Sequence, residues 1–457
     1  MRLTALTAIA AVVFSPGAPG IGDPYYPDYG NGGYDVAHYD LRLRYQPATD
    51  ELSGTATITA RTTQDLSSFD LDFLLDVHSV LVDGRPAGFA RQGVHELVVT
   101  PARPLRRNRP MTVRVTYSGV PSSKLGEGFT AWVRTPDGAL AVGEPEEAWW
   151  WFPSDDHPAD KAYFDVAVTV PDGVEVISNG TMPRPPAPDG PGWTRWTWHS
   201  AKPMTTYLAS LAIGQYDVEQ SRTPSGRPVI YAYSQLLPPD VAAAARAAVG
   251  RTEEIIDWES SLFGPYPFES EGGVVAPPGA LSFSLENQTR PTYGAKYFQR
   301  SPRLDVVVHE NAHQWFGDDV SLTRWQDIWL NEGFATYAEW LWSEHVGDGT
   351  AQEMFDALYA TGSDDDSWTL PPGAPGVPVI TPEVYDRGAM TLQALRTTVG
   401  DPDFFRILRA WPAAHRYGNG TTAEFIALAN QISGQNLNAL FQAWLYTPGK
   451  PPLPTPN

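Results

Sequence analysis

The chain has 457 residues, 42% of them hydrophobic and 19% charged, so it is too long for one ordinary core and too apolar for disorder, and two or three folded domains are expected. Its 32 Lys and Arg against 53 Asp and Glu leave a formal charge of -21, which disfavours nucleic acid and anionic lipid; such a field would favour cationic ligands such as peptides with a free amino terminus, and solubility alone is the plainer reading. There is no cysteine, which excludes disulfides, thiolate metal sites and cysteine nucleophiles.

At the N-terminus Arg2 precedes an apolar run from Leu3 to Phe14, too short to span a bilayer but of the length of a signal-peptide core. Residues 1–20 are therefore read as an export signal of a secreted protein, with a cytoplasmic location as the alternative. No other stretch suggests membrane insertion. Strand signals follow. Tyr39, Leu41, Leu43 and Tyr45 alternate with polar residues, as do Met111, Val113, Val115 and Tyr117. Phe164, Val166, Val168 and Val170 repeat the pattern ahead of a Pro171-Asp172-Gly173 turn. Residues 34–217 are expected to form a mostly antiparallel β domain.

After Pro239 the character changes, and residues 218–450 are expected to be mainly helical. Asp240 is positioned to cap a helix running from Val241 toward Leu262, stopped by Gly264-Pro265. Further helices are expected near residues 305–315, 331–344, 388–399, 401–410 and 422–433, with a Pro/Gly-rich loop from Leu370 to Pro382. A Pro-rich tail occupies residues 451–457. The fold class is α+β.

The helical pattern at residues 305–315 contains His309-Glu310-Asn311-Ala312-His313. Residues four apart stack on one helical face, so both imidazoles can reach one metal, while Glu310 can reach a water instead. Val306, Val307 and Val308 ahead of His309, and Trp315-Phe316 behind, mark a buried helix instead of a surface helix with two solvated histidines, and buried histidines need partners. A catalytic zinc takes three protein ligands and keeps one position open. The third is expected to be Glu332 in Asn331-Glu332-Gly333, with eighteen residues between it and His313. One Zn2+ per chain is expected. The other histidines (His38, His78, His95, His157, His199, His345 and His415) are scattered singly and are assigned no ligand role.

These motifs, with Trp315-Phe316-Gly317, Asp327-Ile328-Trp329-Leu330-Asn331-Glu332-Gly333-Phe334-Ala335 and Tyr385-Asp386-Arg387-Gly388-Ala389, resemble the aminopeptidase N and leukotriene hydrolase family of gluzincin zinc metallopeptidases. Looser similarity at Phe152-Pro153-Ser154-Asp155-Asp156-His157-Pro158 and Thr206-Tyr207-Leu208-Ala209 carries the likeness from about Tyr34 to Pro452. The resemblance implies an N-terminal β-saddle domain, then a thermolysin-like catalytic domain, in a short form without the large helical C-terminal domain of bigger relatives. It places the family's catalytic tyrosine on Tyr385. The exopeptidase signature Gly-x-Met-Glu-Asn falls on Phe283-Ser284-Leu285-Glu286-Asn287, which keeps only the Glu-Asn pair. Glu286 would then bind the substrate's α-ammonium, with Asn287 beside it. Glu144, in Gly143-Glu144-Pro145, aligns with a residue near the amino-terminus pocket, and a solvated loop carboxylate is the other reading. Trp149-Trp150-Trp151 could wall a side-chain pocket or be buried between the domains. The Asn-x-Thr triplets at Asn179, Asn287 and Asn419 are read as coincidence.

The expected function is a zinc-dependent aminopeptidase acting on peptides with a free N-terminus. Zinc would acidify water and polarise the scissile carbonyl, Glu310 would carry the proton to the leaving amine, and Tyr385 would donate to the developing oxyanion. A zinc endopeptidase is the second reading, kept open by the altered residues before Glu286. A metal protein used only for binding is the third, and the presence of both Glu310 and Tyr385 speaks against it. The oligomeric state is left open.

Overall fold

Alternation along the strands builds the first half. Tyr39, Leu41, Leu43 and Tyr45 lie on one face of strand Tyr34–Gln46 and are all buried. The same holds for Met111, Val113, Val115 and Tyr117 in Pro110–Gly119, and for Phe164, Val166, Val168 and Val170 in Lys161–Pro171. These strands belong to an eight-stranded sheet ordered Ala187–Pro188, Trp193–Thr205, Lys161–Pro171, Tyr34–Gln46, Glu51–Thr62, Pro110–Gly119, Asp76–Val82, Arg85–Pro86. Every pairing is antiparallel except that of Lys161–Pro171 with Tyr34–Gln46, where Val166 stands opposite Leu41 in a parallel register. A smaller antiparallel sheet runs Trp132–Arg134, Ala139–Ala141, Leu211–Gly214, Glu175–Ser178.

The computed structural model describes residues 13–126, 128–363 and 365–454. Most of the apolar run read as an export signal, residues 1–12, lies outside the described residues, as do residues 455–457 of the tail. Ser15–Pro16 pairs in parallel with Leu66–Ser68, and the Gly17 amide donates to Ser68 O at 2.9 Å. Residues 15–18 are thus part of the β domain, although they fall within the segment read as a signal. The three tryptophans meet neither expectation. Trp149 packs on Tyr29 and His95, the Leu74 amide donates to Trp149 O, and Tyr117 Oη donates to Trp151 O. All three are fully buried inside the β domain, where their large apolar area fills its core.

Strands continue into the second half. Tyr216–Arg222 pairs antiparallel with Pro228–Ser234, which is followed in parallel by Glu271–Val275 and then Thr292–Tyr293. Helices then take over: α1 (Pro239–Val249), α2 (Thr252–Phe263), α3 (Leu304–Ala312), α4 (Trp329–Val346), α5 (Ala351–Tyr359), α6 (Pro382–Val399), α7 (Asp401–His415) and α8 (Thr422–Ser433). The single helix expected from Val241 to Leu262 is broken at Gly250-Arg251, and Asp240 sits in the first turn of α1, not at its cap. Pro239, with no N–H to leave unsatisfied, opens that helix instead. Pro382 likewise starts α6 six residues before Gly388. No helix among the described residues is long and apolar enough to cross a membrane.

Two devices bear directly on the site. α4 and α6 cross at Gly333 and Gly388, where a Cβ on Gly333 would stand 2.9 Å from the Gly388 Cα. Arg387, beside that crossing, is buried and donates to the carbonyls of Trp444, Trp368, Ala443 and Thr447, tying α6 to the C-terminal segment. Across the two halves, the Lys161 ammonium donates to Asp318 O at 2.7 Å and Asp319 O at 3.0 Å, just past α3. The side-chain amides of Asn179, Asn287 and Asn419, from the three Asn-x-Thr triplets, all donate to backbone carbonyls.

Candidate active site

Helix α3 carries Val306, Val307 and Val308 into the interior and sets His309 and His313 one turn apart. Glu332 comes from the first turn of α4, where the helix N-terminus favours a carboxylate. Its Oε2 lies 3.2 Å from His309 Nε2 and 3.5 Å from His313 Nε2. All three donor atoms fall within 4.8 Å of one another, and the side chains are buried or nearly so. Two imidazoles and one carboxylate are the donor set of a catalytic zinc, so the residues present fit the metal. The second ring nitrogens are occupied elsewhere: His309 Nδ1 lies 2.7 Å from Glu339 Oε1 and His313 Nδ1 lies 3.0 Å from Phe316 O. These contacts leave both Nε2 atoms facing the common point.

Electrostatics follow from packing. Burial pushes Glu332 up, but the imidazoles of His313 and His309 outweigh it and hold the carboxyl at about 2. Protons and a divalent ion would thus compete for one set of atoms. Glu310, 5% exposed, is pushed up to about 8 by burial and by Glu286 and Glu332, against the pull of both histidines. Tyr385 stands in the first turn of α6 with its ring near-parallel to that of His309, centroids 5.9 Å apart. Burial and the surrounding carboxylates raise its hydroxyl well above the usual tyrosine range, so it stays a neutral donor.

A cavity of about 400 Å³ brings these groups together with Glu286 and Glu144. One Glu286 carboxylate oxygen lies within 4.8 Å of donor atoms on both Glu310 and His313. Its Oε1 accepts from Tyr207 Oη at 3.0 Å, while its backbone oxygen accepts from Gln314 Nε2 at 3.0 Å. Gln314 Oε1 in turn accepts from the Thr289 amide, so the residue after His313 clamps the segment that carries Glu286. Glu144 reaches the cavity wall with one oxygen accepting no hydrogen bond from the described residues, and burial followed by Glu286 raises its carboxyl strongly. Asn287 differs from expectation. It is fully buried, donates to Leu208 O at 3.2 Å and does not reach the cavity wall, so it braces the segment against the β domain.

Sequence reasoning missed Glu339 and Tyr207. Glu339 follows Glu332 by seven residues, two helical turns, a signal that was open to reading. Tyr207 comes from the β domain, and its meeting with Glu286 is a tertiary fact with no local signal. Asp318 was also missed; it is buried with neither carboxylate oxygen hydrogen-bonded among the described residues.

Residues 36–208 match the family model described as the peptidase M1 N-terminal domain, and residues 290–444 match the peptidase family M1 domain. Human glutamyl aminopeptidase is 26% identical over 332 residues, covering 68% of this chain and 34% of that protein. A probable aminopeptidase 2 of Sulfurisphaera tokodaii is 28% identical over 322 residues, covering 65% of this chain and 40% of that protein. The chain spans between a third and about half the length of such curated relatives. The crystal structure of an M1 zinc metallopeptidase from Deinococcus radiodurans superposes with a TM-score of 0.85 at 30% identity, covering 96% of this chain and 99% of that one. A mutant of that metallopeptidase bound to a Tyr-Ser-Ala substrate gives the same TM-score and identity.

Proposed function

The chain belongs to peptidase family M1, and from that premise we propose that it is a zinc-dependent aminopeptidase, with one catalytic zinc held by His309, His313 and Glu332. The observation that carries the reading is the closeness of the Glu286 carboxylate, proposed to bind the α-ammonium, to the metal ligands. Glu286 and His313 donor atoms lie within 4.8 Å. In a peptide, the terminal nitrogen and its own carbonyl carbon are about 2.5 Å apart. An ammonium held by Glu286 therefore presents the first peptide bond to the triad, and no later one.

Zinc, when bound, supplies a Lewis acid that lowers the pKa of water and polarises a carbonyl. The protein's own groups do the rest. Glu310 takes a proton from the attacking water and returns it to the leaving amine. Tyr385 Oη donates to the oxygen on which negative charge develops. Glu286, positioned by Tyr207, and Glu144 hold the ammonium; without a cation, two raised carboxyls in one cavity would stay partly protonated. The substrates proposed are peptides with a free N-terminus. Export from the cytoplasm is also proposed, supported by the Arg2-led apolar run; removal ahead of Ser15 would leave the Ser15–Pro16 strand in place.

Amino acid p-nitroanilides compared with their N-acetyl forms test the reading. The free amine should be cleaved and the blocked one left nearly intact. Glu286→Ala should lower kcat/KM on free amines by roughly thirty- to several-thousandfold, as for an unpaired buried charge, with little change on blocked substrates. Equal cleavage of both forms would favour an endopeptidase.

A further inference from the structure

Asp72 is distant in sequence from His95 and Glu96, yet an isolated β-bridge sets Asp72 directly opposite Glu96. Their relative exposures are 0%, 7% and 6% for Asp72, His95 and Glu96, so all three are buried. Three oxygens surround His95 Nε2: Asp28 O at 3.0 Å, Asp72 Oδ1 at 3.4 Å and Glu96 Oε1 at 3.5 Å. A single N–H can be directed at only one of them. Asp72 Oδ1 and both Glu96 carboxylate oxygens accept no hydrogen bond among the described residues. Like charges facing each other across strands repel, and buried carboxylate oxygens without a hydrogen-bond donor are costly. Meanwhile Asp72 Oδ2 accepts from Asn31 Nδ2 at 3.0 Å and from the Asp156 amide at 2.8 Å, which turns Oδ1 toward His95. Ligating carboxylates are oriented by such outer contacts.

The spacing repeats that of the catalytic triad, whose nitrogen-to-oxygen edges are 3.2 and 3.5 Å. Four ligands about 2.05 Å from a tetrahedral ion lie about 3.3 Å from one another. We propose that Asp72, His95, Glu96 and the Asp28 carbonyl form a second metal site, structural in role, for a divalent transition cation such as Zn2+ or Mn2+. One imidazole nitrogen with three oxygens suits these ions, and two carboxylates balance the charge. A cavity of about 500 Å³ lined by Tyr26, Asp28, Tyr29, His95, Glu96 and Val377 gives the ion a route in. The ion would pin the segment carrying Asp28 to the strands carrying Asp72 and Glu96. The expectation of one zinc per chain then describes the catalytic centre alone.

Metal content of the full chain, loaded with Zn2+ or Mn2+, freed of excess by dialysis and measured by mass spectrometry, tests the site. Two equivalents are expected for the wild type, and one each for Glu96→Gln and Glu332→Gln. Glu96→Gln should keep p-nitroanilide hydrolysis while its Tm falls by several degrees. Calorimetric titration of Glu332→Gln with Mn2+ should show one saturable site, and this arm decides alone if Glu96→Gln fails to fold. One equivalent in the wild type, or no binding to Glu332→Gln, overturns the proposal and leaves His95 as an imidazolium between two carboxylates.

Discussion

Single side chains decide the chemistry, and two of them can be separated by substitution. Burial raises Glu310 to about 8, the direction that suits a group that accepts and returns a proton. Glu310→Gln should keep its zinc and lose roughly 10²–10⁴-fold in kcat. Metal analysis and steady-state kinetics on the same preparation check this, and a near-normal rate with metal in place would remove Glu310 from the role of base. Tyr385→Phe takes away the proposed oxyanion donor and should lower kcat by about 10²–10³-fold with KM little changed. A change confined to KM would make Tyr385 a substrate-positioning group. At this scale the sequence was most legible where helical spacing alone brings groups together, as with His309 and His313. It misled at Asn287, because adjacency to Glu286 in sequence says nothing of which side chain turns to the cavity and which turns to Leu208.

Among the elements, the crossing of α4 and α6 positions the chemistry. Glu332 precedes Gly333 on α4, and Tyr385 stands three residues before Gly388 on α6, so the glycine contact bears on the distance between the proposed metal ligand and the proposed oxyanion donor. Gly388→Ala would place a methyl group against the Gly333 Cα, 2.8 Å from the new Cβ, and drive the helices apart. Overpacking of this kind costs about 1–3 kcal/mol. A lower Tm together with weaker zinc binding is expected, measured by thermal scan and by chelator competition; a Tm loss with unchanged zinc affinity would show that the crossing is structural only. The strands with alternating faces were readable from pattern. Pro228–Ser234 was not, because a strand buried on both faces shows no alternation. Helix α5 was missed although Thr350 and Glu353 form a capping box, since only Ala351 and Phe355 of it are buried and its apolar stripe is short.

For the whole molecule, the excess of acid has a thermodynamic consequence. Burial raises Asp156 and Asp319 to about 6 and Glu271 to about 7. In the unfolded chain such groups titrate near ~4, so the folded state binds more protons between roughly pH 4 and 7. Their contribution to stability is full below about 4 and is lost as pH rises through 6 to 7. His313, raised to about 8 against the desolvation that lowers it, acts in the same direction when no metal is present, and so does a net charge of -21. With chelator present, Tm should therefore be higher at pH 5.5 than at pH 8; a flat or rising profile would mean that other groups dominate. Domain order was legible from composition, strands first and helices after. The grouping of Asp72 with His95 and Glu96 was not, because pattern along a chain carries no information on which distant loops a sheet brings face to face.

Arg290, four residues beyond Glu286, is buried and donates to the carbonyls of Ser178 and Gly180 in the β domain. Glu144 reaches the cavity from that domain and Tyr207 donates from it to Glu286, whereas His309, Glu310, His313, Glu332 and Tyr385 all come from the helical half. A recombination event joining this helical half to a foreign β domain would pass on the proposed zinc ligands, Glu310 and Tyr385 intact. It would not pass on the fit that sets Glu286 and Glu144 in one cavity with them. The two halves are thus expected to be inherited as a single unit, with substitutions on either side of residue 215 tracking each other through descent.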